Sequence, residues 1–252
     1  MLIEKRRQVI LDRLVRDGAV GIAALASALG VSRETVRRDL NAMAGRQLLK
    51  KTHGGALAQR SAEPSLTTRK DVNTAGKRRI GAAAARLVPD GASLIIDCGS
   101  TTQALAQSLL AHRRLIIYTN DLTVARTLSR RNGNVVHLLG GQLLEHEDAT
   151  TGWETATQVS QYHVDIAFVG VGGIADDGTI TDYQRDGAEL RSRMLAAARL
   201  PVLLADRTKF GATKPVTVGN LDKVRRLITD LAPAAGVRQK LSGLGIKVVV
   251  AR

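Results

Sequence analysis

The chain has 252 residues, 44% of them hydrophobic, enough for a small and a medium domain with buried cores. Only 2% are aromatic, so Ala, Val, Leu and Ile must fill those cores, and Cys98 as the sole cysteine excludes an intrachain disulfide and fits a reducing cytoplasm. The formal net charge of +14 points to a polyanionic partner, nucleic acid first, and residues 1–60 carry +7 of it (12 Lys/Arg against 5 Asp/Glu). Charges interrupt every apolar run at the N-terminus, so neither a signal peptide nor a membrane span is expected, and the chain reads as cytoplasmic.

In chain order, the first predicted element is a helix over residues 2–15, where Ile3, Val9, Ile10, Leu11 and Leu14 recur at helical spacing until Gly18. Two more helices are predicted at Ile22–Leu29 and Arg33–Gly45. Gly30 between them suits a sharp turn, Val31 plugs the helix crossing, and Ser32 caps the third helix. On that helix Val36, Leu40 and Met43 share the core face, leaving Arg33, Thr35, Arg37 and Arg38 on the others. This division is what a recognition helix requires; the competing reading is a helical hairpin with a solvated basic face. Arg37 and Arg38 suit phosphates as well as bases, and Asp39 is expected to orient an arginine rather than meet DNA. Residues 48–56 read as two short strands, or a strand and a loop, forming a wing that carries Lys50, Lys51 and His53. His53 there either touches DNA or closes the hairpin.

Residues 58–75 are polar, contain Pro64 and show no period, and are read as a linker between domains at 1–57 and 76–252. Beyond it, strands predicted at 93–97, 115–119, 134–139, 164–170, 201–205, 226–229 and 246–250 alternate with helices at 76–88, 101–111, 121–131, 153–162, 186–199 and 233–243. That alternation implies an α/β domain with a mostly parallel sheet covered on both faces.

The first of these strands runs through Asp97, Gly99, Ser100, Thr101 and Thr102 into a helix, an arrangement in which free N–H groups and the helix dipole favour a phosphate. Hydroxyls before a helix are also ordinary caps, and no Gly-Lys-Ser/Thr follows, so this is not a P-loop. Other strand ends, at Asn120, Gly140, Gly141, Gly170, Gly172 and Lys209, gather on the same carboxyl edge of a parallel sheet, with Asp182 and Glu189 nearby. Glu145-His146-Glu147-Asp148 does not have the spacing of a metal site, and no cofactor is expected. Cys98 is either a reactive thiol or a small buried residue. Trp153 is read as packing, and Lys77-Arg78-Arg79 as a solvated basic face.

The run from Ser32 through Thr35-Val36-Arg37-Arg38-Asp39-Leu40, followed by His53-Gly54-Gly55-Ala56, resembles the signature of the DeoR family of repressors. Asp97–Thr102, Thr119-Asn120, Gly140-Gly141, 168–174, 189–195 and 206–211 are similar to that family's sensor domain. The resemblance implies a winged helix-turn-helix joined to a sensor similar in fold to sugar-phosphate isomerases. It also implies repression of carbohydrate or polyol catabolism through double-stranded operator DNA, relieved by a phosphorylated sugar or polyol. The runs around Gly170–Ile174, Lys209-Phe210-Gly211 and Thr217-Val218-Gly219 are most like members responding to glycerol 3-phosphate, whereas Gly187 stands where many members carry an acid. A homodimer or homotetramer is expected, because one winged head reads little sequence. The alternative is an isomerase with a DNA-binding appendage. It is disfavoured because Val171-Gly172-Gly173 offers no acid where isomerases carry carboxylates. A purely architectural DNA-binding protein would need no strand-edge pocket.

Overall fold

The computed structural model describes residues 3–17, 19–45, 48–58, 63–144 and 147–252. The chain divides into two compact units, Met1–Pro64 and Ser65–Arg252.

The first unit contains α1 (Ile3–Asp17), β1 (Ala19–Gly21), α2 (Ile22–Leu29), α3 (Arg33–Gly45), β2 (Leu49–Thr52) and β3 (Gly55–Ala58). Its core is aliphatic: Ile10, Leu14, Leu25, Val36, Leu40, Met43 and Leu49 are buried together, and Val31 packs half-buried at their edge. Gly30 ends α2 at φ 62°, a left-handed conformation that favours glycine, and its N–H returns to the Ala26 and Ser27 carbonyls. The two predicted wing strands form β2 and β3. A third strand, β1, joins β3 to give the antiparallel order β1-β3-β2. Three residues are too few to show a period, so β1 was not legible. It forms because Gly55 has no side chain: a Cβ there would lie 1.9 Å from the Val20 carbonyl oxygen.

The second unit opens with α4 (Leu66–Asp71) and α5 (Thr74–Ala85). It continues through β4 (Ser93–Ile96), α6 (Ser100–Ser108), β5 (Ile116–Thr119), α7 (Leu122–Leu128), β6 (Val135–Leu138), β7 (Gln142–Leu143), β8 (Thr150–Thr151) and α8 (Trp153–Val159). It ends with β9 (Val164–Val169), β10 (Gly173–Ile174), β11 (Ile180–Asp182), α9 (Arg185–Ala196), β12 (Ala198–Leu204), β13 (Val216–Thr217), β14 (Arg226–Thr229), α10 (Ala235–Gly243) and β15 (Lys247–Val250). The predicted linker at 58–75 needs correction. Ser65 caps α4 by accepting from the Thr68 N–H, and Leu66 is buried, so one turn of helix forms where the sequence showed no period. Residues 59–62 lie outside the described set.

All seven predicted strands pair in one wholly parallel sheet, ordered β15-β14-β12-β9-β4-β5-β6. Their apolar runs divide by parity. Leu94, Ile96, Ile166, Phe168, Val202 and Leu204 face one core with α5 and α6, whereas Ile95, Ala167, Val169 and Leu203 face the other with α8 and α9. Two short antiparallel pieces, β10-β11-β13 and β7-β8, were not predicted. From β4 the chain proceeds outward to β5 and β6, then returns to place β9 on the other side of β4. The order therefore reverses between β4 and β9, and the crevice beyond their carboxyl ends is where such sheets hold ligands. No helix among the described residues is long and apolar enough to cross a membrane.

Candidate functional site

In the first unit α3 divides as its spacing requires. Val36, Leu40 and Met43 are buried; Arg33, Arg37 and Arg38 are exposed. The Ser32 hydroxyl accepts from the Thr35 N–H at 3.1 Å and pairs with the Thr35 hydroxyl, so both residues form the cap while staying at the surface. Glu34 stands 3.7 Å from Arg37 and from Arg38, loose contacts between exposed groups that leave both guanidiniums available to an anion. Asp39 is buried and accepts from Arg6 and Arg7 of α1, so it does orient arginines, but those behind the recognition helix rather than on it. Lys50, Lys51 and His53 are exposed on the β2–β3 hairpin. His53 is exposed at the turn between these two strands.

In the second unit buried polar side chains concentrate at the carboxyl edge of the sheet: Asp97, Thr101, Thr102, Asn120, Asp121, Asp182, Arg191, Asp206 and Asp230. Gly99 begins α6 at φ 131° and has no side chain to cap the first turn. The N–H of Cys98 is taken by Asp97 at 2.8 Å and that of Gly99 by Asp121 at 3.3 Å. The next three N–H groups, of Ser100, Thr101 and Thr102, have no acceptor among the described residues. They form an anion cradle at the N-terminal end of a helix, beside the reversal point of the sheet. The Thr102 hydroxyl is spent on the Gly99 carbonyl at 2.8 Å. Asp121 also accepts from Gln103 and from the Val124 N–H, so one carboxylate braces the cradle and caps α7. Burial holds the Asp121 carboxyl above its ordinary range, opposed by these hydrogen bonds.

Beneath the cradle Arg191 joins β4 to β11. Its Nε donates to Asp97 at 2.8 Å, and its Nη1 pairs with Asp182. Asp97 also receives the Gly170 N–H at 3.0 Å, fastening the carboxyl ends of β4 and β9. Burial pushes the Asp97 carboxyl up against the pull of Arg191. Asp97 and Asp182 are thus committed to Arg191 and shape the floor of the crevice. Burial, reinforced by Asp97, raises the Cys98 thiol well above its ordinary range, which disfavours a reactive thiolate. Gly187 lies over the same pair: a Cβ there would meet Arg191 Nη1 at 3.0 Å and Asp182 Oδ2 at 3.3 Å.

Three expected effector residues sit elsewhere. Glu189 is exposed and pairs with Arg193 at 2.7 Å one helical turn on, because position 189 falls on the outer face of α9. Gly140 and Gly141 follow β6, two strands from β4 and so roughly 10 Å from it. There Gly141 makes room for Thr155, whose Oγ1 would lie 2.1 Å from a Cβ. Gly172 serves the close approach of β11, with Thr181 O at 2.8 Å from its would-be Cβ. Lys209 lies half-buried in a single 3-10 turn after β12 that Asp206 caps. Asn120 is buried, donates to the Thr150 carbonyl at 2.9 Å, and leaves its Oδ1 without a partner among the described residues.

The sequence reading missed two cations. Arg69 of α4 reaches the cradle: a Cβ on Gly99 would lie 3.7 Å from its Nη1, and its Nη2 pairs with Glu147. Lys77, read as a solvated residue, is only 4% exposed. Its Nζ donates to the Arg69 and Val72 carbonyls and lies 3.8 Å from Asp206. Burial lowers its pKa from 10.5 to about 8, with Asp206 opposing and Lys209 and Arg69 adding to the fall. Arg78 and Arg79 on the same run are exposed, as read. Glu145 and His146 lie outside the described residues, and no group of three or more His, Cys, Asp or Glu is placed to hold a metal among the others.

Two protein families match this chain: the DeoR-like helix-turn-helix domain over residues 6–62 and the DeoR C terminal sensor domain over residues 72–231. The glycerol-3-phosphate regulon repressor of Escherichia coli (strain K12) is 33% identical over 239 residues, covering 94% of this chain and 95% of its own length. The protein of the same name from Haemophilus influenzae is 35% identical over 90% of this chain and 89% of its own. The HTH-type transcriptional repressor GlcR of Bacillus subtilis (strain 168) is 32% identical over 99% and 97%. Among solved structures, ribose 5-phosphate isomerase A of Methanocaldococcus jannaschii overlaps 55% of each chain at 17% identity and a TM-score of 0.40.

Proposed function

Since this chain belongs to the DeoR family of helix-turn-helix regulators, we propose that it is a transcriptional repressor of a sugar or polyol regulon, released from its operator by a phosphorylated sugar or polyol. The observation that carries the effector half is the open first turn of α6, three N–H groups without acceptors among the described residues, beside Arg69 at the reversal point of the sheet. Glycerol 3-phosphate is the first candidate effector, after the relatives whose name contains it. The DNA half rests on α3, whose Arg33, Arg37 and Arg38 are exposed opposite a buried apolar stripe, with Lys50, Lys51 and His53 on the wing. The active form is a homodimer or homotetramer reading repeated half-sites.

An isomerase would need a carboxylate free to move a proton between carbons. Asp97 and Asp182 are engaged by Arg191, and Glu189 faces outward to Arg193, so the geometry favours binding over turnover. The test is fluorescence anisotropy on the promoter region beside the chain's own gene, titrated with glycerol 3-phosphate and other sugar phosphates. Release by one phosphorylated compound and not by its unphosphorylated form is expected. Operator binding indifferent to every compound would overturn the effector assignment.

A further inference from the structure

α4 begins with its cap at Ser65, the residue directly after the first unit ends at Pro64. It is six residues long and buries one apolar side chain, Leu66; Lys77 holds the carbonyls of Arg69 and Val72, and Glu147 pairs with Arg69. Its Arg69 is the cation seated against the Gly99 turn, and it already carries an anion of this chain, Glu147 from the loop between β7 and β8. Both side chains are 13% exposed, so the pair is largely removed from water, where a charge-assisted contact is strong. Asn120, at the end of the neighbouring strand β5, is 1% exposed and its Oδ1 has no partner among the described residues, an acceptor suited to a ligand hydroxyl. A phosphate group seated on the N–H groups of Ser100, Thr101 and Thr102 would bring up to two negative charges next to Arg69 and repel Glu147.

We propose that Arg69 belongs to the phosphate site of the effector and that Glu147 is the chain's built-in competitor for it, so that phosphate binding takes Arg69 from Glu147 and shifts α4, the helix that follows directly on the DNA-binding unit. This rests on the effector reading above and adds the device by which occupancy reaches the DNA-binding unit. The ligand's differential contact is the exchange of one carboxylate for one phosphate on a single guanidinium, the kind of difference a linked equilibrium requires. α4 buries a single apolar side chain, so a shift costs it little hydrophobic contact.

The test uses the full-length chain, with inorganic phosphate and glycerol 3-phosphate as probes. Calorimetry reads binding; anisotropy on the operator reads release, scaled to each variant's own operator affinity. Glu147→Gln removes the competitor and is expected to tighten phosphate binding and lower the releasing concentration by about tenfold, the scale of one charge-assisted hydrogen bond. Arg69→Gln is expected to weaken both by about tenfold or more, with Arg69→Lys in between because it keeps the charge and loses the fork. Equal phosphate affinity in all the proteins would overturn the assignment of Arg69, and Glu147→Gln decides this alone if an Arg69 variant does not fold. Shifted affinities with unshifted release would overturn the role of α4. Phosphate binding without release of the wild-type chain by glycerol 3-phosphate or any other sugar phosphate would overturn the α4 relay together with the effector reading, while the affinity shifts still decide Arg69. No binding of either probe overturns the phosphate site itself.

Discussion

Asp39 on the recognition helix lies 2.5 Å from the Nε of Arg6 on the first helix, both nearly excluded from solvent, and a second oxygen of the same carboxylate takes Arg7 at 3.0 Å. The back of the DNA-reading helix is therefore held electrostatically as well as by Val36, Leu40 and Met43. Asp39→Ala would take from Arg6 and Arg7 the buried carboxylate they share, and removing one partner of a buried ion pair costs about 3–5 kcal/mol. In a unit of this size that is most of the folding free energy. Operator binding is expected to vanish and a low-temperature unfolding transition to appear, while the transition of the sensor unit stays in place. Calorimetric scanning separates the two, and an unchanged first transition would refute the bracing role.

Arg37 and Arg38 are expected to contact phosphates. Each alanine variant should then flatten the dependence of log affinity on log salt by about 0.9, the release of one counterion per phosphate. Operator titrations at several salt concentrations measure this. A variant that loses affinity on the operator alone, with the slope intact, would make that arginine a base reader instead.

Arg191→Met would strand Asp97 and Asp182 under the crevice. The loss of one partner from such a buried cluster costs about 3–5 kcal/mol, and the Gly170 turn should loosen with it. Urea unfolding of the sensor unit should move to lower denaturant, and the effector response should disappear. Undiminished stability would mean that water already reaches this network.

Lys77 gives a pH signature. Burial lowers its pKa from 10.5 to about 8. Between those values the unfolded chain still holds a proton that the folded chain has released, so this group makes stability rise with pH from about 8 to about 10.5. Below about 8 the folded lysine is charged and the penalty is at its full extent, at most about 3 kcal/mol. The unfolding free energy of the wild type minus that of Lys77→Met should accordingly grow with pH over that window. A difference independent of pH would show that Lys77 titrates as an exposed lysine.

Most of the architecture was readable in one dimension. The seven parallel strands, the helix before the first of them and the five helices between them follow from runs and periods of a few residues, and the helix-turn-helix follows from Gly30, Ser32 and the i, i+4, i+7 stripe of α3. The helix start after Gly99 was legible too, because a glycine before a helix start is a local feature. α4 and β1 were not, since their stability comes from Ser65, Leu66 and Gly55 meeting neighbours rather than from any period.

What only the tertiary structure decided is which charges meet. Arg69 and Glu147 are 78 positions apart, Arg191 and Asp97 94, and Arg6 and Asp39 33. The sequence determined that a basic helix-turn-helix stands beside a parallel α/β sheet with a phosphate-suited turn, because those properties arise from spacing along the chain. The fold alone determined that Arg191 engages Asp97 and Asp182, that Glu189 faces away, that Lys77 is buried, and that Arg69 lies beside the Gly99 turn. Ion pairing depends on distance in space and on exclusion of water, and neither is written in the order of the residues.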